Sequence, residues 1–229
     1  MAESGRILAL DTVTEGCSAA LLVGGVLSEK FEHTPRGHTQ HILPMVDQLL
    51  VEAGCSLQQL DAIAFDRGPG SFTGLRITAG VVQGLAYGAD LPVIPVSSLA
   101  TLALGHFRAH QQRNILVAMD ARMGEVYWGC YQINASGVPQ LQGEELVISP
   151  DALVQPAGEW VGIGSGWREY GEVLGQQRDD PLVNRDGEAV PHAADVALLG
   201  EIAFQQGALL SAAEAQPLYL RNQVVQAQR

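Results

Sequence analysis

From residue 6 onward the chain alternates short apolar runs with polar or glycine-rich breaks, and the period of each run assigns it an element. Residues 6–10 carry the run ILAL and stop at Asp11, as a strand buried on both faces does. Residues 17–23 and 26–31 read as two more strands, joined at Gly24-Gly25, a two-residue hairpin signal. In residues 38–53 the apolar positions Ile42, Val46, Leu49, Leu50 and Ala53 fall on one helical stripe, which Gly54 ends. A strand at 62–65 leads into the loop DRGPGSFTG, and residues 74–87 read as a helix with Leu75, Ile77, Val81, Val82, Leu85 and Ala86 mostly inward. A short strand at 92–96 precedes a helix that Ser97 or Ser98 caps and that runs through His110.

The pattern then restarts. Residues 114–119 are apolar and end at Asp120; strands follow at 125–133, 146–149 and 160–163, the last closed by Gly164-Ser165-Gly166. A final helix spans 193–206, with Val196, Leu199, Ile202 and Ala203 on one face. Two stretches match: ILALDTVTEGCSAALL (7–22) and LVAMDARMGEVYWGCY (116–131) both run apolar strand, Asp, tight polar turn, second strand. Two unrelated hairpins would give this likeness. So would a duplication, which predicts an α/β protein of two lobes, 1–110 and 111–229.

Composition narrows the function. At 229 residues and 47% apolar the chain can build a sizeable core. Thirteen Lys and Arg against 25 Asp and Glu leave a net charge of −12, which opposes autonomous binding to a phosphate backbone. The cysteines Cys17, Cys55 and Cys130 are scattered and odd in number, as reduced thiols in a cytoplasmic protein are. The opening MAESGR lacks the basic and apolar regions of a signal peptide, and no apolar run is long enough to span a membrane.

Candidate chemistry centres on the loop. A Walker motif needs GK[ST], but Gly74 is followed by Leu75-Arg76; Gly68, Gly70 and Gly74 also miss the GxGxxG spacing by one. Two readings stand: a helix N-terminus that attracts an anion, or glycines that supply backbone angles while Ser71 or Thr73 caps the helix. The same choice applies to Gly162-Ile163-Gly164-Ser165-Gly166, a turn or a contact for adenosine. His106 and His110, like His38 and His41, share a helix face but have no evident third metal ligand.

The segments GPGSFTGLRI (68–77), LALDT (8–12), HILPMVDQLL (41–50), PVIPVSSLATLA (92–103), MDARMGEVYW (119–128) and PLYLR (217–221) together resemble the TsaB (YeaZ) family, in order and over nearly the whole chain. The resemblance implies an actin-like fold, of the sugar-kinase and heat-shock-chaperone class and ribonuclease H-like in each of its duplicated lobes. It implies a role beside a paralogous catalytic subunit, TsaD, which transfers threonylcarbamoyl to adenosine 37 of tRNAs reading ANN codons; a small ATPase, TsaE, joins the complex. Catalytic relatives carry HxxxH on the helix after the fifth strand, where this chain has Ser98 and Leu102, so the resemblance implies neither metal nor other cofactor. Active members of the wider superfamily favour Asp-x-Gly at the phosphate turns; here the turns read Asp11-Thr12-Val13 and Asp120-Ala121-Arg122.

The expectation is therefore a non-catalytic subunit. Asp11, Thr12, Asp120 and Gly164 are its candidate nucleotide contacts, against a vestigial role in the turns. Gly68, Gly70, Ser71, Thr73 and Gly74 form a structural loop that launches a partner-binding helix. His41, Met45, Leu75, Val81, Val82 and Leu85 are assigned to that interface, with Val81 taken as outward. A homodimer in isolation should exchange for a heterodimer with TsaD, and tRNA should be met only through the complex. Family members usually carry glycine where this chain has Asp66 and Thr78.

Overall fold

The computed structural model describes residues 5–221, so the first four residues of the MAESGR stretch lie outside it. The first sheet comprises β1 (Ile7–Asp11), β2 (Gly16–Val23), β3 (Val26–His33), β4 (Ala62–Gly68) and β5 (Val93–Ser97), in the order β3-β2-β1-β4-β5. The hairpin β1–β2–β3 is antiparallel, while β4 and β5 run parallel to β1. Two helices, α1 (His38–Ala53) and α2 (Phe72–Ala89), fill the crossovers, and α3 (Ser98–His110) leaves the sheet.

The second sheet repeats the plan. Its strands are β6 (Asn114–Arg122), β7 (Glu125–Ile133), β8 (Pro139–Leu141), β9 (Leu146–Ile148), β10 (Val161–Ile163) and β11 (Asn184–Asp186). Read from the hairpin edge, β8-β7-β6-β10-β11 matches β3-β2-β1-β4-β5 strand for strand, with β9 added on β7. The matching order makes the fold a duplicated, two-lobed, actin-like α/β architecture, and the paired hairpins read from the sequence are its first strands.

Helices sandwich each sheet, but not by simple sequence order. Leu8, Leu10, Ile63 and Phe65 face α1 and α2, while Ile7, Ala9, Ala62 and Ala64 face α5 (Ala193–Gln205). The second sheet lies between α3, through Leu99, Leu102 and Ala103, and α4 (Ser165–Gln176), through Trp167 and Leu174. Thus α3 follows the first sheet in the chain yet covers the second, and α5 does the reverse. The tail also returns to the first lobe: Leu210 bridges Val93, and Gln83 donates to the Ala215 carbonyl. A division at 110/111 separates the sheets but not the layers. The two exchanged helices meet where Arg108 binds Asp195 at 2.5 Å, and a Cβ at Gly105 would lie 2.7 Å from the Asp195 carboxylate.

Most expected elements are present. Gly54 ends α1 in the left-handed conformation (φ 61°), as a glycine stop should, with the Cys55 amide donating back to Leu50. Ser97 caps α3, its hydroxyl accepting from the Leu99 and Ala100 amides. α2 begins at Phe72 rather than Gly74, because Ser71 is the cap; its hydroxyl accepts from the Gly74 amide at 3.4 Å. The helix α4 was not expected. Its sequence SGWREYGEVLGQ holds three glycines, and the backbone leaves helical angles at Tyr170. Low intrinsic propensity hides such a helix, and burial of Trp167 and Leu174 outweighs it. The strands β8 and β11 were missed for a related reason: three mostly exposed residues show no alternation.

Candidate functional site

Each lobe offers one place where an actin-like protein would meet phosphate: the turn after its first strand, facing a helix N-terminus. In the first lobe that place is closed by the chain itself. Asp11 Oδ1 accepts from the Val13 amide at 2.8 Å, which sets the turn. The Thr12 hydroxyl donates to the Gly74 carbonyl at 2.8 Å and lies 2.6 Å from the Thr78 hydroxyl. The Thr12 amide donates to Thr78 Oγ1, and the Ser71 amide donates to the Val13 carbonyl. Thr12 and Val13 are fully buried.

The glycines of the loop make this contact feasible. A Cβ at Gly70 would stand 2.6 Å from the Val13 carbonyl oxygen, and one at Gly74 would stand 2.0 Å from that of Thr12. Neither distance is survivable, so backbone packs directly on backbone. Gly68 has φ 103°, in a region that side chains avoid, and precedes a cis peptide to Pro69. Thr73 is exposed and caps nothing. The turn and the start of α2 are thus in direct backbone contact. Thr78 supplies a hydroxyl to the same contact.

The second lobe holds its turn differently. Asp120 Oδ1 accepts from the Arg122 amide at 2.8 Å, the counterpart of the Asp11 bond, while the Asp120 amide donates to Ser165 Oγ at 3.0 Å. Gly164 and Gly166 pack on Ala118: added Cβ atoms would lie 2.6 Å from its carbonyl oxygen and 2.8 Å from its Cβ. Gly164 thus precedes a helix packed tightly on β6. The four nucleotide candidates divide between the lobes, Asp11 and Thr12 in one and Asp120 and Gly164 in the other. None of them lines the interlobe cleft of about 390 Å³, which is bounded by Thr14, Glu15, His33, Ser165, Arg168 and His192.

The histidines are otherwise engaged. His38 is buried with Nε2 2.9 Å from the Thr14 carbonyl, and His41 pairs with Glu32 at 2.9 Å. The His106 and His110 rings lie 4.5 Å apart, tilted by 41°, and His106 Nε2 meets Gln112 Oε1. Among the described residues no cluster of three or more His, Cys, Asp or Glu side chains is arranged to hold a metal. The Cys17 thiol is pushed up to about 12, chiefly by burial, so it is not nucleophilic near neutral pH.

The outward faces of α1 and α2 carry the remaining assignments. Leu75 (3% exposed), Val82 (0%) and Met45 (8%) are buried beneath their own helices in the first core, so these three side chains are not surface positions. The correction follows from the helical period, which rotates 75, 78, 79, 82 and 86 onto the sheet. His41, Val81 and Leu85 sit half-buried at the boundary. What α2 turns outward is Phe72, Arg76, Gly80, Gly84, Tyr87 and Gly88. A Cβ added at Gly80, Gly84 or Gly88 would touch nothing within 4 Å. Leu43 and Val51 are exposed on α1, and Phe72 and Tyr87 on α2. The sequence reading missed the glycine strip, although its i, i+4, i+8 spacing was there to be counted.

The comparisons agree with this architecture. A family model described as "TsaD: tRNA N6-adenosine threonylcarbamoyltransferase" matches residues 20–162. The chain is 46% identical to the tRNA threonylcarbamoyladenosine biosynthesis protein TsaB of Escherichia coli, over 96% of each sequence. It is 42% identical to the protein of that name from Haemophilus influenzae, over 95% of this chain and 94% of that one. The solved structure of YeaZ from Pseudomonas aeruginosa is 45% identical, with a TM-score of 0.88 over 94% of this chain and 100% of that one. Near-complete coverage at this identity, with a shared duplicated fold, places the chain in the TsaB (YeaZ) family.

Proposed function

We propose that this chain is a non-catalytic subunit of tRNA threonylcarbamoyladenosine biosynthesis, which makes a TsaD-type catalytic subunit competent by docking on it through α1 and α2. The observation that carries the reading is the outward face of α2. Gly80, Gly84 and Gly88 leave its backbone bare, and Phe72 and Tyr87 stand 57% and 85% exposed beside them. Each glycine costs an exposed helix about 1 kcal/mol relative to alanine, so a strip of them needs a compensating use. Close approach of another helix is such a use, with the exposed aromatic rings as anchors. The names of the relatives supply the pathway, and the match to a TsaD family model makes a paralogous partner natural.

The sealed first-lobe turn, where the Thr12 and Val13 backbone packs on Gly74 and Gly70, supports the reading that the chain has no catalysis of its own. A net charge of −12 assigns tRNA contact to basic residues of the other subunits. The same helix face serves a homodimer in isolation, and TsaE joins the assembled pair.

The test is reconstitution. The chain alone and TsaD alone should each fail to modify tRNA, and the two together, with TsaE and threonylcarbamoyl-adenylate, should succeed. Turnover by this chain alone, abolished by Asp11→Ala, would overturn the reading. So would modification by TsaD and TsaE at full rate without it.

A further inference from the structure

Asp11 and Asp66 lie side by side at the ends of two parallel strands. The β1–β4 register pairs Leu10 with Phe65, which makes the two aspartates the next pair along. Both follow alanines that face α5 (Ala9 and Ala64), so by strand alternation their side chains leave the sheet on that same face. Neighbouring strands are only about 4.8 Å apart. Asp11 is 0% exposed and Asp66 is 1% exposed.

Each carboxylate is half satisfied. Asp11 Oδ1 accepts from the Val13 amide; Asp66 Oδ1 accepts from the Gly68 amide at 2.8 Å and from the Ser98 hydroxyl at 2.5 Å. Oδ2 of both residues is buried without a hydrogen-bond partner. Among the described residues neither aspartate has an ion-pair partner. Two adjacent buried charges with no counter-ion cannot both persist; a proton must neutralise at least one.

We propose that Asp11 and Asp66 form a buried acid pair that holds a proton between their Oδ2 atoms in the folded chain, so that the first lobe is tightest while that proton is retained and loosens as it is lost. One carboxyl donates and the other accepts, which satisfies both orphan oxygens with a single hydrogen. The pair anchors three segments: the β1–β2 turn through Val13, the glycine loop through Gly68 and the start of α3 through Ser98. The inference is independent of the proposed function.

The surroundings favour the proton. From β2 come Ser18, opposite Asp11 and occupied by the Ala193 amide, and the buried Cys17 thiol. From β3 comes Glu29, which His192 and the Ala194 amide hold at the start of α5. On α5 itself Asp195 is taken by Arg108 of α3. On the Asp66 side stand the Arg67 cation and Glu145, which accepts hydroxyls from Tyr131 and Ser97. Burial first, and Asp66 next, raise the Asp11 carboxyl well above the usual carboxylate range. Burial pushes Asp66 up to about 7 despite its bonds to Ser98 and Gly68. In the unfolded chain both titrate near 4. Between that pH and the raised folded values, the folded chain binds more protons than the unfolded chain. Stability from the pair is therefore complete below about 4 and is lost as pH rises through 7 and beyond.

The test is thermal unfolding of the full chain from pH 5 to pH 9, with Asp66→Asn beside the wild type. The asparagine Oδ1 can keep both accepted bonds, and its amide can donate to Asp11 Oδ2 without a titrating proton. We expect similar Tm values at pH 5, and at pH 9 a Tm higher in the variant by about 3 °C or more. A Tm difference that does not change with pH overturns the proposal. If Asp66→Asn does not fold, Asp11→Asn enters the same series. Carboxyl ¹³C shifts of the wild type give a second reading: two aspartates still titrating above pH 6 support the pair, and all aspartates titrating near 4 refute it. A saturable rise in wild-type Tm with Mg²⁺ at pH 9, absent in the variant, would replace the proton by a cation and also refute it.

Discussion

The two lobes share one plan, yet their first turns have opposite fates. In the first lobe Thr12 and Val13 are fully buried beneath α2; of their counterparts in the second, Ala121 is buried but the Arg122 side chain stands 87% exposed. The local bond is the same, an aspartate Oδ1 accepting from the amide two residues on. The difference lies in the opposing helix. Gly70 and Gly74 let α2 settle onto the turn backbone, while Gly164 and Gly166 bring α4 against Ala118, two residues before Asp120. The equivalent positions Val13 and Arg122 therefore become a sealed joint in one lobe and an open corner in the other, where Arg221 reaches in to Glu125.

The comparison breaks most severely at Gly74. Its Cβ would stand 2.0 Å from the Thr12 carbonyl, with rigid backbone on both sides. Gly74→Ala should cost more than the about 1–3 kcal/mol typical of overpacking, leaving little folded protein in urea titrations. Gly166→Ala meets the Ala118 Cβ at 2.8 Å and its carbonyl carbon at 2.9 Å, a milder overlap than that at Gly74, and should stay within that range. Equal losses for the two variants would erase the distinction between the turns.

Open glycines sharpen the contrast with closed ones. Gly84 lies on α2 ten residues after Gly74, but an added Cβ there meets nothing within 4 Å. Gly84→Leu should leave Tm unchanged or slightly raised, and weaken pull-down of a TsaD homologue at least about tenfold, the loss expected from about 1.4 kcal/mol at an interface. It should also shift any homodimer toward monomer in light scattering. Undiminished partner binding would remove α2 from the interface.

A smaller effect is expected at Thr12. Thr12→Val keeps the shape and the Thr12 amide bond to Thr78 Oγ1 but removes the hydroxyl that meets the Gly74 carbonyl and the Thr78 hydroxyl, a loss of about 1 kcal/mol in denaturant unfolding. Arg122→Ala, at the open corner, should give no measurable change, since its ion pair with Asp120 is exposed on the arginine side. A larger loss from Arg122→Ala than from Thr12→Val would invert the comparison.

Much of the fold was legible because strand and helix periods are local. The boundaries of α1 and β7 match those read from the pattern, and the hairpin likeness between 7–22 and 116–131 announced the duplication. The helix α4 was not legible, since its glycines lower propensity and only contact with β6 supports it. The close approach of the loop glycines to Thr12 and Val13 is visible only in the structure, since the two segments are far apart in sequence. Leu75, Val82 and Met45 were assigned to a surface because an apolar residue on a broadly apolar helix does not announce which neighbour it meets.

The sequence by itself determined the order of the long elements, the likeness of the two hairpins, the family and the absence of Asp-x-Gly at the two turns. All of these are encoded in residue type and spacing along the chain. Only the tertiary structure decided that α3 and α5 exchange sheets, that the glycine loop seals Thr12 and Val13, and that Asp11 stands beside Asp66. Those facts depend on which segments, distant in sequence, come within a few ångströms. A backbone approach or a shared proton exists only once both sides have been brought together.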